Sequence, residues 1–188
     1  AQLGFGHEDV VARNPRIVYA GVHGYGSGGP YAGAPAYDDV IQAASGTTPL
    51  LPRADGDERP RYLPSLIADK VAGLHAAYAV MAAVVHRLRT GQGQHVEVPM
   101  FEAFSSFMLK EHFGGNTFDP PVGPPCYGRQ VDPDRQPFPT RDGYVSIVPY
   151  RLDHFTKVIA LMGDEAFAQE ARFATPEGLI AGQAELYA

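Results

Sequence analysis

Residues 64–100 constrain the fold more than any other stretch of the chain. Leu74, Tyr78, Met81, Val85 and Leu88 recur every three or four residues, the spacing of an apolar stripe along one helix face. The alanines between them favour helix and let neighbouring backbone come close. Arg87 and Arg89 fall where the last turn should be, at the negative end of the helix dipole, and Gly91 is the expected stop. Val96, Val98 and Met100 then alternate with polar residues, which predicts a short strand. The stripe predicts a helix packed on something larger. Asp69 stands in its first turn, where the peptide dipoles favour an ionised carboxylate. Acids are enriched at such positions as caps and charges, so residue type alone leaves the role of Asp69 open.

On the N-terminal side, Ala1 to Asn14 reads as the tail of a helix and the β-branched run Ile17 to Val22 as a buried strand. Gly24-Tyr25-Gly26-Ser27-Gly28-Gly29 satisfies the letters of the dinucleotide fingerprint G-x-G-x-x-G. Its context is wrong, because Pro30, Gly33 and Pro35 keep the chain irregular where a helix should open. The segment is better read as a loop that lets backbone approach a ligand or another segment. Tyr37 to Ser45 is a short helix stopped by Gly46, and Thr47 to Leu63 a polar surface loop.

Beyond Met100 a helix is expected from about Glu102 to His112, with Glu102 as an exposed or capping residue. Gly114-Gly115-Asn116 ends it, and Pro120, Pro121, Pro124 and Pro125 mark a linker. Asp142-Gly143 signals a hairpin between Gln136–Thr140 and Tyr144–Val148. Leu152 to Met162 is an amphipathic helix stopped by Gly163. Thr175-Pro176 starts a last helix, with Thr as cap and Pro at the first position, expected to run to Ala188. The domains expected are 1–115, a linker at 116–133, and a small α+β unit at 134–188.

Composition excludes several classes. A net charge of −6 argues against nucleic-acid binding, which needs clustered Lys and Arg to neutralise phosphate. No window is read as approaching the run of about 18 apolar residues that crosses a membrane, so no membrane partner is expected. No signal peptide is read at the start. The one cysteine, Cys126, cannot form an internal disulfide, which suits a reducing compartment such as the cytoplasm. The seven histidines lack i,i+4 pairing and thiolate company, so no metal site is expected.

Four stretches carry a resemblance. Ala68-Asp69-Lys70-Val71-Ala72-Gly73-Leu74-His75 leads to Thr90-Gly91-Gln92-Gly93-Gln94-His95-Val96-Glu97-Val98. Upstream stand Asn14-Pro15-Arg16-Ile17-Val18-Tyr19-Ala20 with Gly24-Tyr25-Gly26, then Tyr37-Asp38-Asp39-Val40-Ile41. Downstream stands Pro137-Phe138-Pro139-Thr140-Arg141-Asp142-Gly143. In order and spacing, from about Leu3 to about Tyr187, these resemble the class III CoA-transferases. That family includes formyl-CoA transferase, carnitine CoA-transferase and the related 2-methylacyl-CoA racemases. The resemblance implies an α/β chain: part of a Rossmann-like CoA-binding large domain plus a small α+β domain, from an enzyme that forms interlocked homodimers. Family chains are roughly twice as long, so a partial chain is implied.

The resemblance also implies roles. Asp69 matches the catalytic aspartate, and Tyr37 the tyrosine that lines the active site of formyl-CoA transferase. The racemases carry a catalytic His there, so Tyr37 favours transfer over racemisation. Gly24, Tyr25, Gly26, Gln2 and Leu3 fall at substrate- or CoA-binding positions. Gln2 stands where formyl-CoA transferase has an Arg that contacts CoA, and Pro124 to Arg129 where it has a glycine-rich loop. No permanently bound cofactor is implied; coenzyme A and acyl-CoA are substrates, with a small carboxylic acid as acceptor. Gly24 to Gly29 could donate amides to a developing oxyanion. The alternatives are an acyl-CoA racemase or epimerase of the same superfamily, and a non-catalytic CoA-binding fragment.

Overall fold

Two strands paired in parallel need a crossover between them, and the long helix supplies it. The computed structural model describes residues 3–182 and Glu185. It divides into two units, Ala1–Pro52 with Glu58–Tyr127 and Arg53–Asp57 with Gly128–Ala188.

In the first unit, α1 (His7–Arg13) leads to β1 (Val18–His23), α2 (Asp38–Ala44) and α3 (Leu50–Asp55), which runs into the second unit. Then come α4 (Ile67–Thr90), β2 (Gln94–Pro99) and α5 (Met100–Met108). β1 lies parallel to β2 with Tyr19 opposite His95, Gly21 opposite Glu97 and Val22 opposite Val98. Strand alternation therefore gathers Val18, Ala20, Val22, Val96 and Val98 on one face and Tyr19, His23, His95 and Glu97 on the other. α4 packs against β1, β2, α2 and α5. The core is Ile41, Ala68, Val71 and Phe104, with Tyr25, Ala36, Ile67, Met100, Phe101 and Met108 around it. Gly91 ends α4 in the left-handed region (φ 79°), its amide donating to Arg87 O at 2.8 Å.

Five expectations need correction. The stripe Leu74, Tyr78, Met81, Val85, Leu88 is exposed, and the side buried within this unit carries Ala68, Val71, Ala72 and Ala83. Small side chains are enclosed within this unit, and the five large ones are each half or more exposed. β1 is not buried either: Gly21 alone is enclosed and Val22 is half exposed. The supposed loop from Thr47 holds α3, which tertiary context permits despite Pro52. The helix expected from about Glu102 to His112 begins at Met100 and ends at Met108. Finally, α4 is by length and composition long and apolar enough to cross a membrane. From Val71 to His86 it carries no Asp, Glu, Lys or Arg, and counting only unbroken apolar runs missed this.

In the second unit β3 (Phe138–Pro139) and β4 (Tyr144–Val145) form the expected antiparallel hairpin, Thr140 N–H donating to Gly143 O at 2.8 Å. α6 (Leu152–Met162) stops at Gly163. α7 (Glu165–Ala168) and a 3-10 turn (Ala171–Ala174), neither read from sequence, precede α8 (Pro176–Ala181). Thr175 caps α8 through Oγ1, which accepts from Gly178 N–H at 3.1 Å. The helix ends at Ala181 with Gly182 as its C-cap, short of the expected run to Ala188; of residues 183–188 only Glu185 is described.

Candidate active site

α4 begins without a cap of its own, because Leu66 at the cap position has no accepting side chain. The acceptor comes from α2. Asp38 Oδ1 receives Ala68 N–H at 2.7 Å and Asp69 N–H at 3.1 Å. Asp38 Oδ2 receives Gln42 Nε2 at 2.6 Å. Asp38 is 4% exposed, and Gln42 is 1% exposed. Gln42 also donates to Ser65 O at 3.3 Å and accepts Leu63 N–H at 2.8 Å, so the chain leading into α4 is tied to α2.

Two sequence-predicted residues are thereby tied to Asp38. Tyr37 is the N-cap of α2, one residue before Asp38, and is 74% exposed. Asp69 is in the first turn of α4, exposed, and among the described residues its carboxylate has no hydrogen bond or ion pair. Asp69 is thus not the cap of its own helix; Asp38 is.

The glycine segment reaches the same neighbourhood through packing. A Cβ on Gly24 would stand 2.1 Å from Ala36 Cβ, so only glycine lets the loop meet the residue before Tyr37. Half-buried Tyr25 lies against the core that includes Ala68, its ring 5.7 Å from Phe101 and 5.3 Å from Tyr31. Tyr25 therefore serves packing. No helix opens in or just after Gly24–Gly29, in keeping with the rejection of the dinucleotide motif.

The oxyanion role expected of this segment is narrowed to fewer amides. Gly26 N–H donates to Glu102 Oε1 at 3.0 Å, Ser27 N–H to Glu97 Oε1 at 2.7 Å, and Gly29 N–H to Gly26 O at 3.1 Å. Three of its amides are already bonded within the protein. Glu102, read as merely exposed or capping, anchors the loop. Ser27 Oγ adds a second bond to Glu97, to Oε2 at 2.7 Å. These two Ser27 bonds, with His23 and His95 nearby, hold the Glu97 carboxyl below its ordinary value of 4.5. Glu97 and His23 help line an open cavity of about 460 Å³ beside the loop.

Leu3 lies 85% exposed ahead of α1, and no interaction among the described residues joins it to the others. Gln2 lies outside the described residues. Among the described residues no three His, Cys, Asp or Glu side chains group to hold a metal ion. His7 instead stacks on His95 with ring centres 4.6 Å apart, and Tyr19 meets His95 edge-on at 5.4 Å. Sequence reading missed Asp38, Gln42, Glu97 and the anchoring role of Glu102. The one available signal was the Asp38/Gln42 pair at i,i+4 directly after Tyr37.

Comparison with known proteins matches the chain to one group. The family model described as CoA-transferase family III matches residues 1–188. The chain is 31% identical to a probable fatty acyl-CoA transferase of Mycobacterium tuberculosis, over 100% of this chain and 50% of that protein. It is 26% identical to the succinate–glutarate CoA-transferase of Agrobacterium fabrum, over 99% of this chain and 46% of that protein. The crystal structure of a CaiB/BaiF family protein from Brucella suis superposes with a TM-score of 0.73 at 29% identity, over 99% of this chain and 49% of that one. The chain spans about half the length of the curated relatives it matches.

Proposed function

The chain belongs to CoA-transferase family III, and from that premise we propose that it is part of an enzyme that moves CoA from an acyl-CoA thioester to a carboxylic acid acceptor, with Asp69 as nucleophile. In this reading residues 1–115 contribute to the CoA-binding large domain and 134–188 to the small domain. The complete enzyme is an interlocked homodimer of the cytoplasm, with CoA thioesters as substrates and no permanent cofactor.

One observation carries the assignment. The Asp69 carboxylate is exposed and unbonded among the described residues, while its own amide is held by Asp38, the residue that follows Tyr37. An aspartate carboxylate is ionised at neutral pH and can attack a thioester carbonyl carbon. The new C–O bond forms as the C–S bond breaks, giving a mixed anhydride at Asp69 and CoA thiolate. The thiolate then attacks the Asp69 carbonyl carbon, expelling the donor's carboxylate and leaving an aspartyl-CoA thioester. The acceptor carboxylate attacks that thioester, and the thiolate is expelled again. Its attack on the acceptor acyl carbon frees Asp69 and completes the exchange. Both covalent intermediates react with water, so the site must be closed during turnover.

Hydroxylamine trapping tests the assignment. The complete enzyme, incubated with acyl-CoA and then hydroxylamine, is expected to yield a hydroxamate at Asp69 by peptide mass analysis. Asp69→Asn is expected to lose at least about a thousandfold in transfer rate, the scale of removing a covalent nucleophile. Near-normal turnover in that variant refutes the assignment.

A further inference from the structure

We propose that Asp38 and Gln42 form a buried bracket that reserves the first amides of α4, and that this keeps the Asp69 carboxylate available for attack. The proposal rests on Asp69 being the nucleophile and adds two positioning residues to that site.

The first turn of a helix offers unbonded N–H groups, and an aspartate within that turn is well placed to turn back and accept them. A carboxylate so bonded is stabilised in its charged form, which makes it a weaker nucleophile and aims it at its own backbone. α4 has Asp69 in its first turn and no cap residue. Its Ala68 and Asp69 amides are nevertheless taken, by Asp38 Oδ1 at 2.7 and 3.1 Å. Competition for these donors is therefore settled by a second carboxylate, one that is buried. Among the described residues no cation pairs with Asp38; the helix terminus and Gln42 balance it.

Gln42 decides which way Asp38 points. Its Nε2 donates to Asp38 Oδ2 at 2.6 Å and to Ser65 O at 3.3 Å, while Oε1 accepts Leu63 N–H at 2.8 Å. With both ends of the Gln42 amide engaged, neither side chain can turn without breaking the connection between α2 and the entry to α4. During the attack itself, Asp38 and Gln42 exchange no proton or electron pair with substrate. They hold Asp69 outward while its oxygen bonds to the thioester carbon and the CoA sulfur leaves.

Steady-state kinetics of the complete enzyme test the bracket, with hydroxylamine trapping at Asp69 as a second readout. In Asp38→Asn, two amide NH2 groups face each other across the Gln42 contact unless one turns and gives up its other bonds. The expected result is a fall in kcat of about tenfold or more with KM for acyl-CoA within about twofold, the trapping rate falling in proportion. The double variant Asp38→Asn with Gln42→Glu restores a donor–acceptor pair across that contact, keeps Oδ1 on the two amides and the Leu63 N–H bond, and gives up only the long bond to Ser65 O. Its kcat is expected within about threefold of the parent enzyme. Parent-like kcat in folded Asp38→Asn overturns the proposal, as does a folded double variant no faster than the single one. If Asp38→Asn does not fold, the double variant decides alone: kcat depressed by about tenfold or more overturns the bracket. Normal turnover in Asp69→Asn would instead refute the nucleophile assignment, so the two failures are distinguishable.

Discussion

The two ends of α4 are built on different terms. At its start, Ala68 and Val71 are buried with Ile41 and Phe104, Ala72 is also enclosed, and two amides are held by Asp38. Farther along, Leu74, Tyr78, Met81, Val85 and Leu88 are exposed, Leu88 by 75%, and Ala83 alone is enclosed. One helix thus has a start enclosed within its own unit and a flank whose large apolar side chains are each half or more exposed. The difference teaches that the candidate nucleophile is positioned by local packing and a buried carboxylate, independently of the apolar stripe that dominates the sequence.

The comparison can be broken most directly in the core. Phe104 is fully enclosed, and Phe104→Ala is expected to destabilise the chain by about 3–5 kcal/mol in urea unfolding monitored by circular dichroism. A loss near zero would mean that the start of α4 is no better packed than its stripe.

A smaller effect is expected from Glu97, which holds Ser27 of the loop that meets Ala36. Its carboxyl lies below 4.5 in the folded chain, chiefly through the Ser27 hydroxyl and amide. A lowered folded pKa means that the ionised form favours folding, so the contribution is present above the unfolded value and disappears as pH falls through the folded one. The stability gap between the parent chain and Glu97→Gln is therefore expected to be widest near neutral pH and to close below 4.5. Thermal melts across that range measure it, and a pH-independent gap would remove Glu97 as the loop's anchor.

The smallest effect sharpens the contrast from the other side. Leu88→Ser is expected to change the stability of this chain by less than about 0.5 kcal/mol in the same urea assay, because the side chain leaves water only slightly on folding. A loss comparable to that of Phe104→Ala would show that the stripe is buried in solution.

Much of the local structure was legible. Gly91 and Gly163 end their helices at the expected residues, Thr175 caps α8, and Asp142-Gly143 turns a hairpin. These features depend on a few consecutive residues, whose backbone preferences survive in any fold. The short α3 was hidden by Pro52 and its polar surroundings, and the depth of β1 was overestimated from its β-branched residues. In the site, Asp69 and Tyr37 could be named from motif likeness, whereas Asp38 could not, because its partners lie about 30 residues away and are backbone amides.

By itself, the sequence determined where α4 and α6 stop and where α8 starts, the family to which the chain is similar, and which aspartate to suspect. Tertiary structure alone decided that Ala68, Val71, Ala72 and Ala83 rather than Leu74 and Leu88 are enclosed, since close packing of a helix rewards small side chains. It also decided that the glycine segment's amides at Gly26, Ser27 and Gly29 are spent internally, and that a buried neighbour caps α4 in place of Asp69. The physical reason is common to all three. Hydrogen-bond donors and close-packing partners are shared out in space, and pattern along a chain does not show which competitor is nearest.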